Sequence, residues 1–431
     1  MTVRRLASAW IALLLTFSSS ISIPISRADD PKKVENSKPK PGGSVAPSDP
    51  VFEALAIVDG KTTAGRLKTF TAEGAIVLTD DQGTDRSFRF DQLVRLTRIA
   101  DSPPFPPEGP LVLFKDGDRL QASIESSNDT LFEIKPAILG GQTLKVPLDS
   151  PSVMIVNPPA TPEATDELID RVRDDPRSGE VLYMGNGDRM TGGFLAINPR
   201  QVSFQPEKAK EKVGVERAGV VAIGFDSKLV EYKKPKGDDF VELTFTDGSR
   251  LGVSAPQLEN GELSATTRFG AQIRLPLTKL FSLAFRSKKI DYLCERAEDA
   301  ARYVGYIGPT RPYRRDRCVD GHHLRIGGRP YDHGIGSSSR TYLAYKLRPD
   351  DRRFQALIGL DDRAGQLGSA VFRVLLDGKE RFVSPSLTTR DAPKTIDLDV
   401  QGAKVLILVT DFGDRGDVRD LADWVDARLI R

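Results

Sequence analysis

Between residues 51 and 286, short apolar runs alternate with tight-turn signals, and this pattern occurs four times. The turns are Asp59-Gly60, Asp116-Gly117, Asn186-Gly187 and Asp247-Gly248. Each joins two apolar runs, as in a β-hairpin, because the central residues of such a turn adopt positive φ. The turns lie roughly 57 to 70 residues apart, which gives each copy room for four or five short strands. The sequence therefore predicts tandem small β-repeats.

In copies two to four an arginine stands two residues after the turn glycine and precedes an apolar residue, at Arg119-Leu120, Arg189-Met190 and Arg250-Leu251. This pattern resembles the small Sm-like barrels, which implies that each copy is a small, strongly bent barrel. The rival prediction is a single four-bladed propeller. We interpret the Asp-Gly turns and the arginines as turn chemistry and a solvated strand face.

A proline-rich segment divides the repeats into two pairs. Residues 158–162 contain three prolines, which interrupt regular structure. Thr165 is predicted to cap a short helix after them, with Asp166 and Glu167 favourable at its positive end. The predicted organisation is two repeats at 51–157, a linker with a short helix at 158–177, and two repeats at 178–287.

The last third of the chain has the pattern of antiparallel strands in a sandwich, because apolar runs are separated by Gly and Asp turns such as Asp377-Gly378. Its motifs, in chain order, are Tyr292-Leu293, a basic run at 313–317, Gly327-Gly328, Tyr331, Gly334-Ile335-Gly336, Gly359-Leu360-Asp361-Asp362, a run from Phe372 to Gly378, and Ala422-Asp423-Trp424-Val425-Asp426-Ala427. Their order and spacing resemble the NPCBM family of carbohydrate-binding modules, over about residues 290–431.

The resemblance implies a galactose-binding-like β-sandwich (jelly roll) at 288–431 that binds sugar at a loop face, in some members with a structural calcium ion. Together with the repeats, it gives an all-β fold class. In the family a His often follows the Gly-Ile-Gly segment, whereas this chain has Ser337-Ser338-Ser339. If that His orders a binding loop, the departure weakens the expectation of sugar binding. Trp424 is predicted to lie in the core, because small residues flank it in an alternating strand.

Candidate binding residues occur in the same region. Polar side chains hydrogen-bond sugar hydroxyls, and a tyrosine ring can stack on a sugar face. The predicted sugar contacts are Tyr313, Arg315, Asp316, His322, Tyr331 and His333. Loop carboxylates suit calcium, and the predicted ligands are Asp361, Asp362, Asp411 and Asp414, with turn formation beside glycine as the alternative role. Cys294 and Cys318 are predicted to form a disulfide, because cysteines in exported proteins commonly pair.

Residues 1–28 have the features of a secretion signal. A basic pair precedes an apolar core at 7–17, and Ser26-Arg27-Ala28 supplies the small residues that a signal peptidase requires. That core is too short to span a bilayer comfortably, and no later segment is apolar enough to cross one; the alternative is an uncleaved anchor. Residues 29–50 are predicted to be a disordered linker. The chain is therefore expected in the periplasm or outside the cell.

Composition and motifs limit the function classes. The chain has 62 basic and 60 acidic residues and a net charge of +2, which argues against nucleic acid as a partner. It has no His-Glu-x-x-His motif, no Walker loop and no (β/α) alternation that would build a hydrolase barrel. We predict an exported, non-catalytic protein that binds glycan through its C-terminal module. The alternatives are an envelope scaffold that binds other proteins, and an accessory subunit of a carbohydrate-degrading assembly.

Overall fold

The computed structural model describes residues 49–431, except 58–59, 72, 100–103, 106, 232–238, 306–310 and the side chain of Asp116. The predicted signal segment, nearly all of the predicted linker and Asp59 of the first turn lie outside the described residues. Within the described part, the chain consists of β-strands, short 3-10 helices and one α-helix, which confirms the all-β fold class. No helix in this part has the length and apolar character needed to cross a membrane.

Each predicted repeat is a five-stranded antiparallel unit. Repeat 1 consists of β1 to β5, at Val51–Ala56, Thr62–Phe70, Ala75–Thr79, Asp85–Arg89 and Leu93–Arg98. Repeat 2 consists of β6 to β10, at Leu111–Phe114, Arg119–Ser127, Leu131–Pro136, Leu144–Pro147 and Pro151–Ile155. Repeat 3 consists of β11 to β15, at Glu180–Met184, Arg189–Ile197, Gln201–Pro206, Val213–Glu216 and Val220–Gly224. Repeat 4 consists of β16 to β20, at Phe240–Phe245, Arg250–Glu259, Glu262–Thr267, Gln272–Pro276 and Leu280–Arg286.

All four repeats share one pairing scheme. The first strand pairs with both the second and the last, and the long second strand changes register part-way along. Such a bulge bends a strand, so the five strands curve around an apolar interior. These units are not the four-stranded blades of the rival propeller prediction, and the likeness to Sm-like barrels stays a prediction. The 3-10 helices of the repeats lie at Phe90–Gln92, Lys115–Gly117, Ala137–Leu139, Arg217–Gly219 and Leu277–Lys279.

The repeats associate through their last strands. β5 pairs with β20, with Leu96 opposite Leu283, and β10 pairs with β15, with Met154 opposite Ile223. Through these last strands, repeat 1 is therefore joined to repeat 4, and repeat 2 to repeat 3. The proline-rich segment had suggested the other grouping, with repeat 1 beside repeat 2 and repeat 3 beside repeat 4. An unpaired last strand would leave backbone N–H and C=O groups at a sheet edge, which explains why each of these strands takes a partner from another repeat.

The α-helix, α1 at Pro162–Asp174, follows the proline-rich segment. Its cap is Thr161, whose Oγ1 accepts a hydrogen bond from the N–H of Ala164 at 3.2 Å, and not Thr165 as predicted. Thr165 is buried in the first turn and donates its hydroxyl to the Thr161 carbonyl at 3.1 Å. The helix begins earlier than expected because proline at the first helical position needs no N–H partner. Its apolar face covers the junction of β10 and β15.

The C-terminal region is a sandwich of two antiparallel sheets. Its strands, β21 to β33, lie at Ile290–Tyr292, Ala300–Tyr303, Arg314–Arg315, Leu324–Ile326, Arg329–Tyr331, Gly334–Ser337, Thr341–Lys346, Arg353–Leu360, Ala370–Leu376, Lys379–Val383, Lys394–Asp399, Val405–Phe412 and Ala422–Ile430, with 3-10 helices at Leu293–Glu295 and Asp362–Ala364. One sheet has the order β23-β26-β33-β28-β31, with β21 beside β33, and the other has the order β22-β27-β32-β29-β30. β24 and β25 form a separate hairpin.

The two sheets of the sandwich bury a core around Trp424. Its side chain is 1% exposed, and its Nε1–H donates to Oγ1 of Thr410 at 3.0 Å. The ring meets Phe372 edge-on, with ring centroids 5.1 Å apart. Because side chains alternate along a strand, Asp423 and Val425 point to the opposite face of the sheet. The core position predicted for Trp424 is confirmed.

Candidate functional site

Two of the predicted sugar contacts lie where the sandwich meets the repeats. His333, directly before β26, is 8% exposed, and its Nε2 lies 3.0 Å from Oε2 of Glu242 in β16. Tyr331 is half-buried in a cleft that Arg95 of repeat 1 also lines. Neither residue is on the open loop face that the sequence predicted. The reason is that repeats 1 and 4 pack against this part of the sandwich, a contact between distant segments that no local pattern records.

Ion pairs hold this junction between the sandwich and the repeats. Asp332 accepts a hydrogen bond from Nη1 of Arg119 at 2.6 Å, and its other oxygen lies 3.8 Å from Nη1 of Arg250. Burial alone would raise the pKa of Asp332, but the two guanidinium groups outweigh it and hold that pKa far below its ordinary value. Further ion pairs between the sandwich region and the repeats or α1 join Arg95 to Asp426, Lys289 to Asp91 and Arg317 to Asp170. Nε2 of His323 also lies 3.5 Å from Oδ1 of Asp166.

The other predicted sugar contacts do not converge on one site. Tyr313 packs against the sandwich core and its hydroxyl bonds the Glu298 carboxylate, which also accepts from Arg315 at 2.9 Å. Burial raises the pKa of Tyr313 to about 12, and Glu298 adds to the rise. Arg315 and Asp316 line a second cleft, of about 410 Å³, beside repeat 2 and α1. His322 is half-buried nearby in sequence. The six predicted sugar contacts are thus distributed over several separate places in the structure.

The predicted calcium ligands serve separate structural roles. Their partners are the Arg363 N–H for Asp361, the N–H groups of Gly327 and Gly328 for Asp362, and the guanidinium groups of Arg340 and Arg373 for Asp411, whereas Asp414 is exposed in a turn. Among the described residues, these four carboxylates do not form a group with oxygens within 4.8 Å of one another. The structure therefore does not bring these four carboxylates together, and a calcium site in this region stays a prediction.

The predicted disulfide is not formed, because both cysteines are buried free thiols. Cys294 belongs to the sandwich core with Trp424, whereas Cys318 belongs to a separate apolar cluster with Val425. Trp424 and Val425 are neighbours in β33, so their side chains lie on opposite faces of one sheet. The two thiols are separated in the same way, and the sequence alone does not show which face each one takes.

A polar cleft of about 310 Å³ opens among the loops of the sandwich. We call it the loop cleft and define it by its lining residues, which are Tyr303–Gly305, Arg311, Asp320, Ser338–Thr341, Asp417 and Arg419–Leu421. The first segment lies at the end of β22, and Arg311 and Asp320 lie on either side of β23 in the chain. The Ser338–Thr341 segment connects β26 to β27, and the last residues directly precede β33. Loops that come from both sheets therefore meet at this cleft, on a rigid support of paired strands.

Charged and hydroxyl side chains supply the chemistry of the loop cleft. Nη1 of Arg311 donates to Oδ1 of Asp320 at 2.8 Å, and both side chains remain partly exposed, at 56% and 38%. Nε of Arg340 donates to Oδ1 of Asp411 at 2.9 Å. Tyr303 adds one half-buried aromatic ring. Hydroxyl-binding donors and acceptors beside an aromatic ring are the combination that recognises sugars.

Asp420 lies at the base of the loop cleft. It is 2% exposed, and its carboxylate accepts hydrogen bonds from the Ser339 hydroxyl and from the N–H of Ser369, the latter at 3.1 Å. Burial raises the pKa of Asp420 to about 6, against those two hydrogen bonds, and the charge of Asp417 adds to the rise. The charge that holds the Ser339 loop therefore changes close to neutral pH.

We expect Asp420→Asn to change how stability depends on pH. The pKa of Asp420 is about 6 in the folded protein against 3.8 ordinarily, so the folded state holds this proton more tightly than the unfolded state. The stability it contributes is complete below about pH 4 and is lost as the pH rises through about 6. As the pH rises from about 4 to about 6, the urea midpoint of the wild type should therefore fall relative to that of Asp420→Asn. A difference that does not vary with pH would contradict the raised pKa.

Comparison with known proteins bears on residues 299–430, which match the model of the NPCBM/NEW2 domain. A Renibacterium salmoninarum protein with the provisional name endo-alpha-N-acetylgalactosaminidase is 32% identical over 111 residues. That segment is 26% of this chain and 7% of the relative, so the chain spans only a small part of that protein.

Solved structures similar to the chain include modules of two Clostridium perfringens proteins. The CBM51 of GH95, in complex with methyl-galactose, is 26% identical, covers 32% of this chain and 99% of that chain, and gives a TM-score of 0.30. CBM51-2 with the INT domains of ZmpB, in complex with GlcNAc, is 23% identical, covers 42% of this chain and 40% of that chain, and gives a TM-score of 0.31.

The C-terminal region is thus a β-sandwich domain of two antiparallel sheets. More particularly, the chain contains an NPCBM/NEW2 domain at residues 299–430. The predicted family resemblance and its place in the chain are confirmed.

Sequence reasoning missed most residues of the loop cleft. The family resemblance pointed to the Ser337–Ser339 segment, because the family often has a His there. Tyr303, Arg311 and Asp320 come from loops that meet only once the strand order is known, and no spacing marks them. Glu242 was also missed, since it lies in repeat 4 and 91 residues from its partner His333. Its position among the apolar residues of β16 was the available signal, because a buried carboxylate needs a partner.

Proposed function

We propose that the chain is an exported, non-catalytic protein whose NPCBM/NEW2 domain binds glycan at the loop cleft. The observation that carries the proposal is the presence of a polar cleft of about 310 Å³ within the residues that match this family. That volume is near the lower end of the usual range for small-molecule sites, which fits one sugar unit or the end of a glycan chain. Export rests on the signal features of residues 1–28.

The groups in the loop cleft support recognition of a neutral sugar. Arg311 and Asp320 form an exposed pair that offers both donors and acceptors, and Tyr303 offers an aromatic surface. A sugar that binds there would exchange water for these groups at partly exposed positions, so the affinity of one site should be weak. A protein that gains avidity from several copies or several modules would use such a site effectively.

A binding role, rather than catalysis, accounts for the similarity to the Renibacterium salmoninarum protein. The shared segment is 111 residues long and 7% of that protein, and this chain has no (β/α) alternation that would build a hydrolase barrel. We therefore assign glycan binding to the shared segment. Because the relative is named for N-acetylgalactosamine, this sugar is the first to test.

The alternative of a protein-binding envelope scaffold predicts a large apolar patch on the repeats. The large apolar side chains exposed in the described part of residues 51–287 are Ile99, Phe105, Leu195 and Leu229. The ring of Phe105 lies under the guanidinium group of Arg325, 4.9 Å from its centroid. Such single residues are normal on a soluble surface, so no observation favours the scaffold over glycan binding.

We expect Arg311→Ala to weaken glycan binding by about tenfold or more, the effect of losing a charged hydrogen-bond donor from a site, with no loss of stability. The pair that Arg311 forms with Asp320 is exposed, and such pairs contribute little to folding. The measurement is a glycan array that includes N-acetylgalactosamine and galactose, followed by calorimetric titration of the best glycan. The full chain is used, because the sandwich is joined to the repeats by buried ion pairs.

The matched control is Lys346→Ala, which removes an exposed ion pair with Asp299 at 3.5 Å in the same domain but outside the loop cleft. It should bind as the wild type does. Equal binding by Arg311→Ala and the wild type would move the site away from the loop cleft. Failure of the wild type to bind any glycan would contradict the proposed function and favour a protein partner.

A further inference from the structure

A second, buried group of functional side chains lies at the junction between the sandwich and the repeats. Cys294, Asp316 and His333 place one ligand atom each within 4.8 Å of one another. Cys294 and His333 are buried, at 3% and 8% exposure, and Asp316 is half-buried. Among the described residues, this is the one group of three or more His, Cys, Asp or Glu side chains with that geometry. None of the three residues lines the loop cleft.

Strand pairing brings these three residues together from separate segments. Cys294 lies in the 3-10 helix after β21, Asp316 directly follows β23, and His333 directly precedes β26. β23 and β26 are antiparallel neighbours, so the residues just beyond their paired ends meet. The N–H of Gly334 donates to Oδ1 of Asp316 at 3.1 Å, and the N–H of Asp316 donates to the Gly334 carbonyl at 2.8 Å. The backbone thus fixes the carboxylate beside the imidazole.

The imidazole of His333 is oriented by a carboxylate on its other side. Its Nε2 lies 3.0 Å from Oε2 of Glu242, while its Nδ1 has no hydrogen-bond partner among the described residues, and the nearest oxygen of Asp316 is 3.8 Å away. A buried polar atom without a partner is destabilising, because burial removes the hydrogen bonds that it would make to water. A histidine that binds a metal ion through one nitrogen typically holds the other N–H against a carboxylate. His333 has this arrangement, with Nδ1 directed at Cys294 and Asp316.

We propose that Cys294, Asp316 and His333 bind a divalent metal ion of intermediate softness, with zinc as the best match. A thiolate, an imidazole nitrogen and a carboxylate oxygen are the ligand types of zinc sites, whereas calcium and magnesium take oxygen ligands. Three protein ligands leave a fourth position for water or another ligand. The 410 Å³ cleft that Asp316 lines provides an entry path for the ion.

Charge is balanced when zinc binds. The ion carries two positive charges, and the Cys294 thiolate and the Asp316 carboxylate carry one negative charge each. Zinc takes the place of the thiol proton, and of the Nδ1 proton where His333 is charged, and these protons leave to solvent. The surrounding groups are the Glu242 carboxylate, the guanidinium groups of Arg250 and Arg286, and the ring of Tyr292, whose centroid lies 5.1 Å from that of His333. Because Glu242 belongs to repeat 4, the bound ion would also stiffen the junction.

The experiment is a titration of the metal-free full chain with Co²⁺, a spectroscopic substitute for zinc, followed by competition with Zn²⁺. We expect one equivalent to bind, with a thiolate-to-cobalt charge-transfer band in the near ultraviolet that Zn²⁺ abolishes. Cys294→Ser should lose this band. Cys318→Ser is the matched control, because it removes the other buried thiol, from a different cluster, and should keep the band. Glu242→Gln, which keeps all three ligands, should weaken binding by about 10- to 100-fold.

Two results would overturn the metal site. One is the absence of a thiolate band in the wild-type chain at saturating Co²⁺, and the other is an unchanged band in Cys294→Ser. If Cys294→Ser does not fold, Cys318→Ser, with Cys294 as its one thiol, decides the question, because any thiolate band that this variant shows must come from Cys294. The absence of the band in Cys318→Ser at saturating Co²⁺ would contradict the proposal. Glycan binding by the wild type is a separate readout, so failure of the metal site and failure of the glycan site are distinguishable.

Discussion

Replacing Asp332 with alanine should lower the free energy of unfolding by about 3 kcal/mol, the typical cost of removing one partner from a buried ion pair. Asp332 accepts from Arg119 at 2.6 Å and lies 3.8 Å from Arg250. These arginine side chains are only 9% and 4% exposed. Without the carboxylate, the two neighbouring guanidinium groups lose a counter-charge that they share, and their mutual repulsion is only partly screened because both arginines are largely buried. The penalty therefore includes this repulsion as well as the lost attraction.

The measurement for Asp332→Ala is urea unfolding followed by far-ultraviolet circular dichroism. Asp350→Ala is the matched control, because this carboxylate is 67% exposed and 4.0 Å from Arg431, and its loss should change stability by about 0.5 kcal/mol or less. Asp332→Asn keeps the shape and one acceptor but not the charge, and should fall between them. Equal stability of Asp332→Ala and the control would show that buried charge does not hold the junction.

Replacing Trp424 with alanine should remove about 4 kcal/mol of stability, within the range for truncating a large aromatic side chain in a core. Trp424 is among the largest fully buried side chains of the described residues. Its loss leaves a cavity beside Phe372 and takes away the N–H that Thr410 accepts. Trp424→Phe restores most of the apolar volume but not that hydrogen bond. It should therefore cost only about 1–2 kcal/mol.

Tryptophan emission offers a convenient probe for the wild type. The other tryptophan of the chain is Trp10, so in a chain that starts after residue 28 the emission reports on the sandwich alone. Unfolding of the variants is followed by circular dichroism. Leu367→Ala, at a side chain that is 52% exposed, should change stability little. A loss of less than about 1 kcal/mol for Trp424→Ala would contradict its place in a close-packed core.

The sequence predicted the architecture well because its signals are local. Asp-Gly and Asn-Gly turns between apolar runs mark hairpins wherever they occur, and the four repeats and the sandwich strands follow from them. The helix was also predictable, but its cap was misplaced by one turn, because Pro162 tolerates the first helical position as well as it breaks a helix. No local signal predicts that repeat 1 associates with repeat 4, since the last strand of every repeat is similarly apolar.

The site was predicted less well because it depends on contacts between distant segments. His333 and Tyr331 have the residue types of sugar contacts, yet packing against repeats 4 and 1 covers them. The prediction of a Cys294–Cys318 disulfide was wrong for a related reason. The alternation of side chains along a strand shows which face of a sheet each residue takes, but neither cysteine lies in a long alternating strand. Where the family motif was continuous, as around Trp424, the prediction was correct.

The nested pairing of the repeats sets an order in which the chain can complete its structure. Repeats 2 and 3 join through neighbouring segments of the chain, whereas Leu96 must wait for Leu283, roughly 190 residues later. Contacts between such distant residues form slowly. During synthesis the outer edge of repeat 1 therefore stays open until repeat 4 has emerged, and a chain that ends before residue 280 would keep this edge available to other strands. Repeats 2 and 3 can therefore pair first, and the pairing of repeat 1 with repeat 4 follows.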